Sequence, residues 1–210
     1  MAADPSQIPV SQARRRIHAA AMQLFAERGV TKVSISELAA AAGMARGTIY
    51  SHVPDIDRLF EDVAGQLARE MTERVVAGFA GVNDPAQRLA IGVRQYIRRA
   101  HEEPLWGRFM SRFGLSPAVM KAVMSSAALS DFEAGVASGR YRVAAVQIPA
   151  TVALLAGSTL AAMLPVLDGL VTWREIGSDT AELLLRALGI DPDEARRLAR
   201  AELPALADVP

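Results

Sequence analysis

The sequence predicts an all-α chain: a three-helix head over residues 11–58, followed by a larger helical body over residues 59–203. Three observations lead there. Of the 210 residues, 51% are hydrophobic, enough to bury a sizeable core. Alanine and leucine are abundant while aromatics make up 5%, a balance that favours helix over sheet. Apolar residues recur three and four apart, in runs opened by capping residues or prolines and closed by glycines.

Composition narrows the chemistry. There is no cysteine, which excludes disulfides and thiolate metal sites and fits a reducing compartment. The first ten residues, MAADPSQIPV, carry no apolar signal-peptide core, and their prolines and lack of periodicity predict disorder. Net charge is zero, but it is unevenly distributed. Residues 10–60 hold seven Arg or Lys against four Asp or Glu, a net of +3, and residues 61–210 have a net of −2. A modestly basic head on a slightly acidic body suits a small nucleic-acid-binding module on a non-binding domain.

The head reads as follows. Ile17, Ala21, Leu24 and Phe25 share one helical face, and Gly29 closes that helix. Arg14, Arg15 and Arg16 in its first turns suit a solvated helix start and phosphate contact equally well. Ser34 and Glu37 form a Ser-x-x-Glu capping box that starts a second helix, whose buried face is Ile35, Leu38, Ala39 and Ala42. Gly43 ends it, and only Met44 and Ala45 separate that glycine from a third helix, Arg46 to His52. At 100° per residue Ala45 and Ile49 face the core, while Arg46, Gly47, Thr48, Tyr50 and Ser51 form a polar outer arc. A seven-residue helix with one large aliphatic anchor is not stable alone. Its arc of guanidinium, hydroxyls and phenol suits base edges and phosphates. Two short helices around a tight glycine turn, at about residues 33–52, are the layout of a helix-turn-helix. Pro54 stops the third helix, and Asp55 is expected to cap a long fourth one carrying Ile56, Leu59, Phe60, Val63, Leu67 and Met71.

Residues 11–60, and above all the run GMARGTIYSHVPDIDRLF from Gly43 to Phe60, resemble the N-terminal domain of TetR-type (TetR/AcrR) bacterial transcriptional regulators. The resemblance covers about a quarter of the chain. It implies that Arg46, Gly47 and Thr48 approach bases and backbone, that Tyr50 and His52 hold phosphates, and that Ser34 sets the start of the second helix beside the backbone. Three positions depart from the family pattern. Ala45 stands where a capping serine is usual, Val53 replaces a phenylalanine, and Ile56 replaces a lysine that meets phosphate. Lys32 and the arginines of the first helix are the residues that could replace that contact.

In the body, Asp84-Pro85 opens a helix with Leu89, Val93, Tyr96 and Ile97 on one face. Pro104 and Pro117 open two more, the second capped by Ser116. Trp106, Phe109, Met110 and Phe113 belong to the densest aromatic cluster of the chain, and Met120 and Met124 follow it. They read either as core or as the lining of a site for a mostly apolar small molecule, with His101 as a nearby polar group. Gly139 to Arg142 is a turn. Residues 143–167 hold no charge and meet the length of a membrane span. Pro149 and Pro165 interrupt the run, and Gln147, Thr151, Ser158 and Thr159 dilute it, so a helix buried on nearly every side is the preferred reading. With a second apolar helix over about 178–188, two copies of the segment at 147–168 would form a four-helix dimer interface, the way the resembled family dimerises. Asp191-Pro192 caps a last helix whose Arg196, Arg197 and Arg200 read as a solvated face.

No catalytic constellation, phosphate loop or metal motif is visible, so no enzyme activity and no cofactor are expected. The function expected is that of a cytoplasmic, ligand-responsive, DNA-binding regulator. It is read as a homodimeric repressor on a palindromic double-stranded operator, released by a small-molecule effector, and outside any membrane. The alternative is a helical small-molecule-binding protein or enzyme with no role on DNA.

Overall fold

The computed structural model describes residues 12–207. The expected disorder of residues 1 to about 10 lies outside them. The described residues are helical throughout, with no strand among them. They form two compact units that divide after Val63, later than the boundary expected at residue 58.

The first unit contains α1 (Gln12–Arg28), α2 (Ile35–Ala42), α3 (Arg46–His52) and the start of α4 (Leu59–Ala77). Its core follows from the helical spacing. Ile17, Ala21, Leu24 and Phe25 of α1, Leu38 and Ala42 of α2, and Ile49 of α3 are all buried. Phe25 meets Phe60 edge-on, with ring centroids 5.3 Å apart. Helix α4 begins at Leu59 and not at Ile56. Asp55 spends its carboxylate on the N–H of Asp57, closing a turn that delays the helix.

The second unit is arranged around α5 (Pro85–Glu102). It packs against α6 (Pro104–Phe113), α8 (Ala127–Ala137), α9 (Ile148–Leu167), α10 (Trp173–Ala187) and α11 (Pro192–Arg200). A short α7 (Pro117–Met124) packs on α8. Asp84 caps α5 through the N–H of Ala86, and Asp191 caps α11 through those of Asp193 and Glu194. Gly107 permits the α5–α6 contact, because a Cβ there would lie 2.9 Å from Ala100. The charge of Arg99, nearly buried on α5, is met by Glu70 at 2.8 Å and Glu103 at 3.0 Å, and its guanidinium lies 4.6 Å from the Trp106 ring. Arg196, Arg197 and Arg200 are exposed as expected, yet each is ion-paired: Arg196 and Arg200 reach Glu182, and Arg197 reaches Glu194.

Three expectations for the body are corrected. Ser116 does not cap α7; its hydroxyl is buried without a hydrogen-bond partner among the described residues. The last long helix starts at Trp173 and not near residue 178, because Thr172 and Glu175 form a capping box that the sequence reading passed over. Helix α9 is not buried on nearly every side of the single chain. Pro149 sits harmlessly in its first turn and Pro165 near its end, and Leu154 and Leu164 stay 48% and 50% exposed.

Candidate nucleic-acid interface and body cavity

The turn between α2 and α3 is held from both sides. On the N-terminal side, the Ser34 hydroxyl accepts from the N–H of Glu37, and the Ser34 N–H donates to Glu37 Oε2 at 2.8 Å. These bonds, with the Ser34 hydroxyl and Arg28, hold the Glu37 carboxyl down at about 2. On the C-terminal side, Gly43 adopts φ 60°, ψ 44°, the left-handed cap that terminates α2. Arg16 of α1 donates to the Ala42 carbonyl at 2.8 Å, satisfying one of the acceptors that a helix end leaves open. Ala45 is extended, at φ −68° and ψ 145°, and gives α3 no side-chain cap. It is exposed, contrary to the expected core position, because a residue outside the helix does not follow the 100° rotation.

Helix α3 is anchored by Ile49, which is fully buried, and by Val53 just past its end. Arg46, Gly47 and Tyr50 are exposed, Tyr50 by 64%. Thr48 and His52 are partly so, and a Cβ on Gly47 would meet nothing within 4 Å. Of the two hydroxyls on this arc, that of Ser51 is spent on the Thr48 carbonyl at 2.8 Å. The Ser34 hydroxyl is engaged in its own capping box, which leaves the residue a positioning part at the start of α2. Lys32 reaches Asp57 at 3.5 Å, a highly exposed and loose pair of little energetic weight. The structure thus brings Arg46, Gly47, Thr48 and Tyr50 onto one short helix, with His52 at its end.

The second unit holds a partly open cavity of about 200 Å³, walled by α4 to α9. Its lining is mostly apolar: Val75, Leu89, Val93, Val119, Phe132, Val152 and Leu160 are among the walls. Met110 and Met120 of the expected lining are there. The others are placed elsewhere. Trp106 and Phe109 are buried in helix packing, the first tilted against Tyr96 at 5.8 Å and the second against Phe113 at 5.3 Å. Met124 is 46% exposed, and His101 lines a separate, more polar groove beside Pro104 and Trp173. Helix α6 explains the shift. Residues 106, 109 and 113 form one stripe that packs among helices, while Met110 and Gly114 form the neighbouring stripe that opens to the cavity. The sequence reading missed the charged members of the wall, Arg88 and Asp131, which pair at 2.6 Å. They are 43 residues apart, and no periodicity joins them.

Comparison with known proteins bears on both halves. The profile described as "Bacterial regulatory proteins, tetR family" matches residues 17–63. That described as "Tetracyclin repressor-like, C-terminal domain" matches residues 84–201, more than half of the chain. The chain belongs to the TetR family. An HTH-type transcriptional repressor of Mycobacterium tuberculosis is 45% identical over 64 residues, 30% of this chain and 32% of that one. The repressor BepR of Brucella suis is 36% identical over 75 residues, 36% of this chain and 35% of its own length. These matches span less than half the length of the curated relatives. Among solved structures, RolR in complex with resorcinol is 27% identical and covers 93% of this chain and 97% of its own, at a TM-score of 0.67. A putative TetR-family regulator from a Shewanella species has a TM-score of 0.74 at 22% identity, covering 85% of this chain and 98% of its own; it shows the fold alone. As a TetR-family member the chain is placed among regulators and not among enzymes. Its departures from the family pattern have visible consequences: Ala45 leaves α3 uncapped, and Ile56 lies in the turn before α4.

Proposed function

We propose that this chain is a ligand-responsive transcriptional repressor. Two copies bind a palindromic duplex operator through α3 and release it when a small apolar molecule fills the cavity of the body. The observation that carries this reading is the coexistence of an outward polar α3 and an apolar cavity in one TetR-family chain. Arg46, Gly47, Thr48 and Tyr50 are offered to bases and backbone, with His52, Lys32 and the start of α2 at Ser34 offered to phosphates. Helix α4 carries Leu59 in the head core and Thr72 and Val75 in the cavity wall, so it is the natural lever. The effector needs only different affinities for two states, typically a coupling of about 1–3 kcal/mol.

The apolar face of α9 and α10 supports a homodimer. Leu154 and Leu164 on α9 and Leu183 on α10, the last 62% exposed, leave an apolar surface that a second copy of the same two helices would cover. That accounts for Ala145–Leu167, the one described helical segment long and apolar enough to cross a membrane, without placing it in one. A two-fold axis then implies half-sites about one helical turn, roughly 35 Å, apart. A regulator of this kind works in the cytoplasm, beside the DNA.

The scale of the cavity agrees with a small effector. An apolar cavity of about 150 Å³ already takes up benzene, and RolR was crystallised with resorcinol, a single-ring molecule. The test is selection of duplexes from a random pool by the purified chain. The reading predicts enrichment of an inverted repeat; a pool that stays random would refute it.

A further inference from the structure

We propose that the extended segment 201–207, which follows α11, is a strap on α4. It pins the end of that helix which also walls the cavity, and so holds the lever in its DNA-binding position. The hold on the lever rests on the repressor reading above; the strap itself does not.

Residues 201–207 leave α11 as irregular chain. Side chains of two other helices take up their carbonyls. On α5, Arg94 Nη1 donates to Ala201 at 2.7 Å and Gln95 Nε2 donates to Pro204. On α4, Arg74 Nε donates to Ala207 at 2.9 Å. The three acceptors are three residues apart, the repeat of a polyproline II helix, and Ala201 has such a backbone at φ −57° and ψ 158°. A chain of that kind makes no internal hydrogen bonds, so its carbonyls are open to outside donors. The segment also passes Gly78, just beyond α4, where a built Cβ would lie 3.7 Å from the Ala205 carbonyl oxygen. It therefore crosses from α11 over α5 to α4.

The strap is both held and opposed. Three hydrogen bonds favour it, two of them from charged donors. Two buried groups on α5 oppose it. Arg94 is 9% exposed, is met by the Ala201 carbonyl and by no carboxylate among the described residues, and burial pushes its guanidinium below the ordinary range. Gln95 is 1% exposed, and its Oε1 is buried without a hydrogen-bond partner among the described residues. Lifting the segment breaks three bonds but returns both groups to water. Opposing contributions of this kind suit an element that opens without unfolding the rest.

The end of α4 is where strap and cavity meet. Thr72, Val75 and Phe79 line the cavity, while Arg74 and Gly78 meet the strap. At 100° per residue the two sets lie about 110° apart around the helix axis. A molecule that displaces the first set therefore strains the second. With the strap closed, the end of α4 is tied to α5; with it open, α4 samples more positions, and the share competent for DNA falls.

Hydrogen exchange followed by mass spectrometry tests the strap at pH 7. Amides of residues 72–79 should exchange about fivefold faster in Arg74→Met, the worth of about one hydrogen bond. They should exchange faster still in a chain ending at Ala201, with α10 unchanged in both. Glu103→Gln removes an ion partner of Arg74 but leaves its bond to Ala207, so it should stay within twofold of the wild type. Unchanged exchange in Arg74→Met, an equal rise in α10, or an equal rise in Glu103→Gln would overturn the strap. If the shortened chain does not fold, Arg74→Met against Glu103→Gln decides. Arg74→Met should also bind a selected duplex several-fold more weakly. Full affinity with a loosened α4 would overturn the strap's hold on the lever. A wild-type chain that selects no duplex would overturn the repressor reading instead, and exchange alone then upholds or overturns the strap.

Discussion

Arg16 of α1 donates to the carbonyl of Ala42, the last residue of α2, at 2.8 Å. One side chain thereby ties the first helix to the turn from which α3 departs. Gly43, the next residue, has a left-handed backbone, and its position lies 3.5 Å from the same guanidinium when a Cβ is built on it. A residue that sequence alone would assign equally to phosphate contact or to solvent therefore has a fixed place inside the head.

Arg16→Ala should lower stability by about 1 kcal/mol, the usual net value of such a bond. It should also weaken operator binding, because the turn is freed to move. Urea denaturation and duplex titration of the same variant check both parts. Loss of binding without loss of stability would instead assign Arg16 to a phosphate.

The capping box makes a pH-dependent contribution. The Glu37 carboxyl is lowered from 4.5 to about 2 by the Ser34 backbone N–H, the Ser34 hydroxyl and Arg28. A group whose folded pKa is depressed stabilises fully above its unfolded value, and the effect is lost as pH falls through the folded one. Glu37→Gln retains a capping side chain but no charge. Its melting temperature should therefore lie below the wild type above pH 5, and the gap should close between pH 4.5 and about 2. A gap that stays constant across that range would contradict this assignment.

The proposed dimer can be tested at one position. Leu183 on α10 is 62% exposed in the single chain, so Leu183→Asp costs the protomer little. In a dimer closed by α9 and α10 it would place two carboxylates in an apolar interface. Sedimentation should show monomers at concentrations where the wild type is dimeric, with operator affinity falling as the second head is lost. A variant that remains dimeric would move the interface elsewhere.

Much of this organisation was legible along the chain because it is local. The Ser34–Glu37 box, the Gly43 turn and the Asp84-Pro85 start lie within a few residues of each other, and the structure has each in place. The outward placing of Arg46, Gly47 and Tyr50 on α3 was legible for the same reason, whereas Ala45, which lies outside the helix, was not. The cavity was not. Its wall draws on six helices, and aromatic density in sequence located the packing stripe of Trp106 and Phe109 instead. The Arg88–Asp131 pair is joined only by tertiary packing, which no spacing rule reports. The exposed leucines of α9 and α10 show the reverse case. Their apolar character is plain in sequence and reads as burial, yet the single chain leaves them exposed.

The most direct test of the account is the salt dependence of binding to a selected duplex, followed by fluorescence anisotropy for the wild type and for Tyr50→Phe and His52→Ala. Phosphate-dominated binding predicts that log K falls steeply and linearly with log salt, with two protomers per duplex. At fixed salt both variants should bind several-fold more weakly, each having lost about one hydrogen bond. Affinity indifferent to salt, one protomer per duplex, or variants that bind like the wild type would contradict the assignment of α3 as the DNA-reading helix.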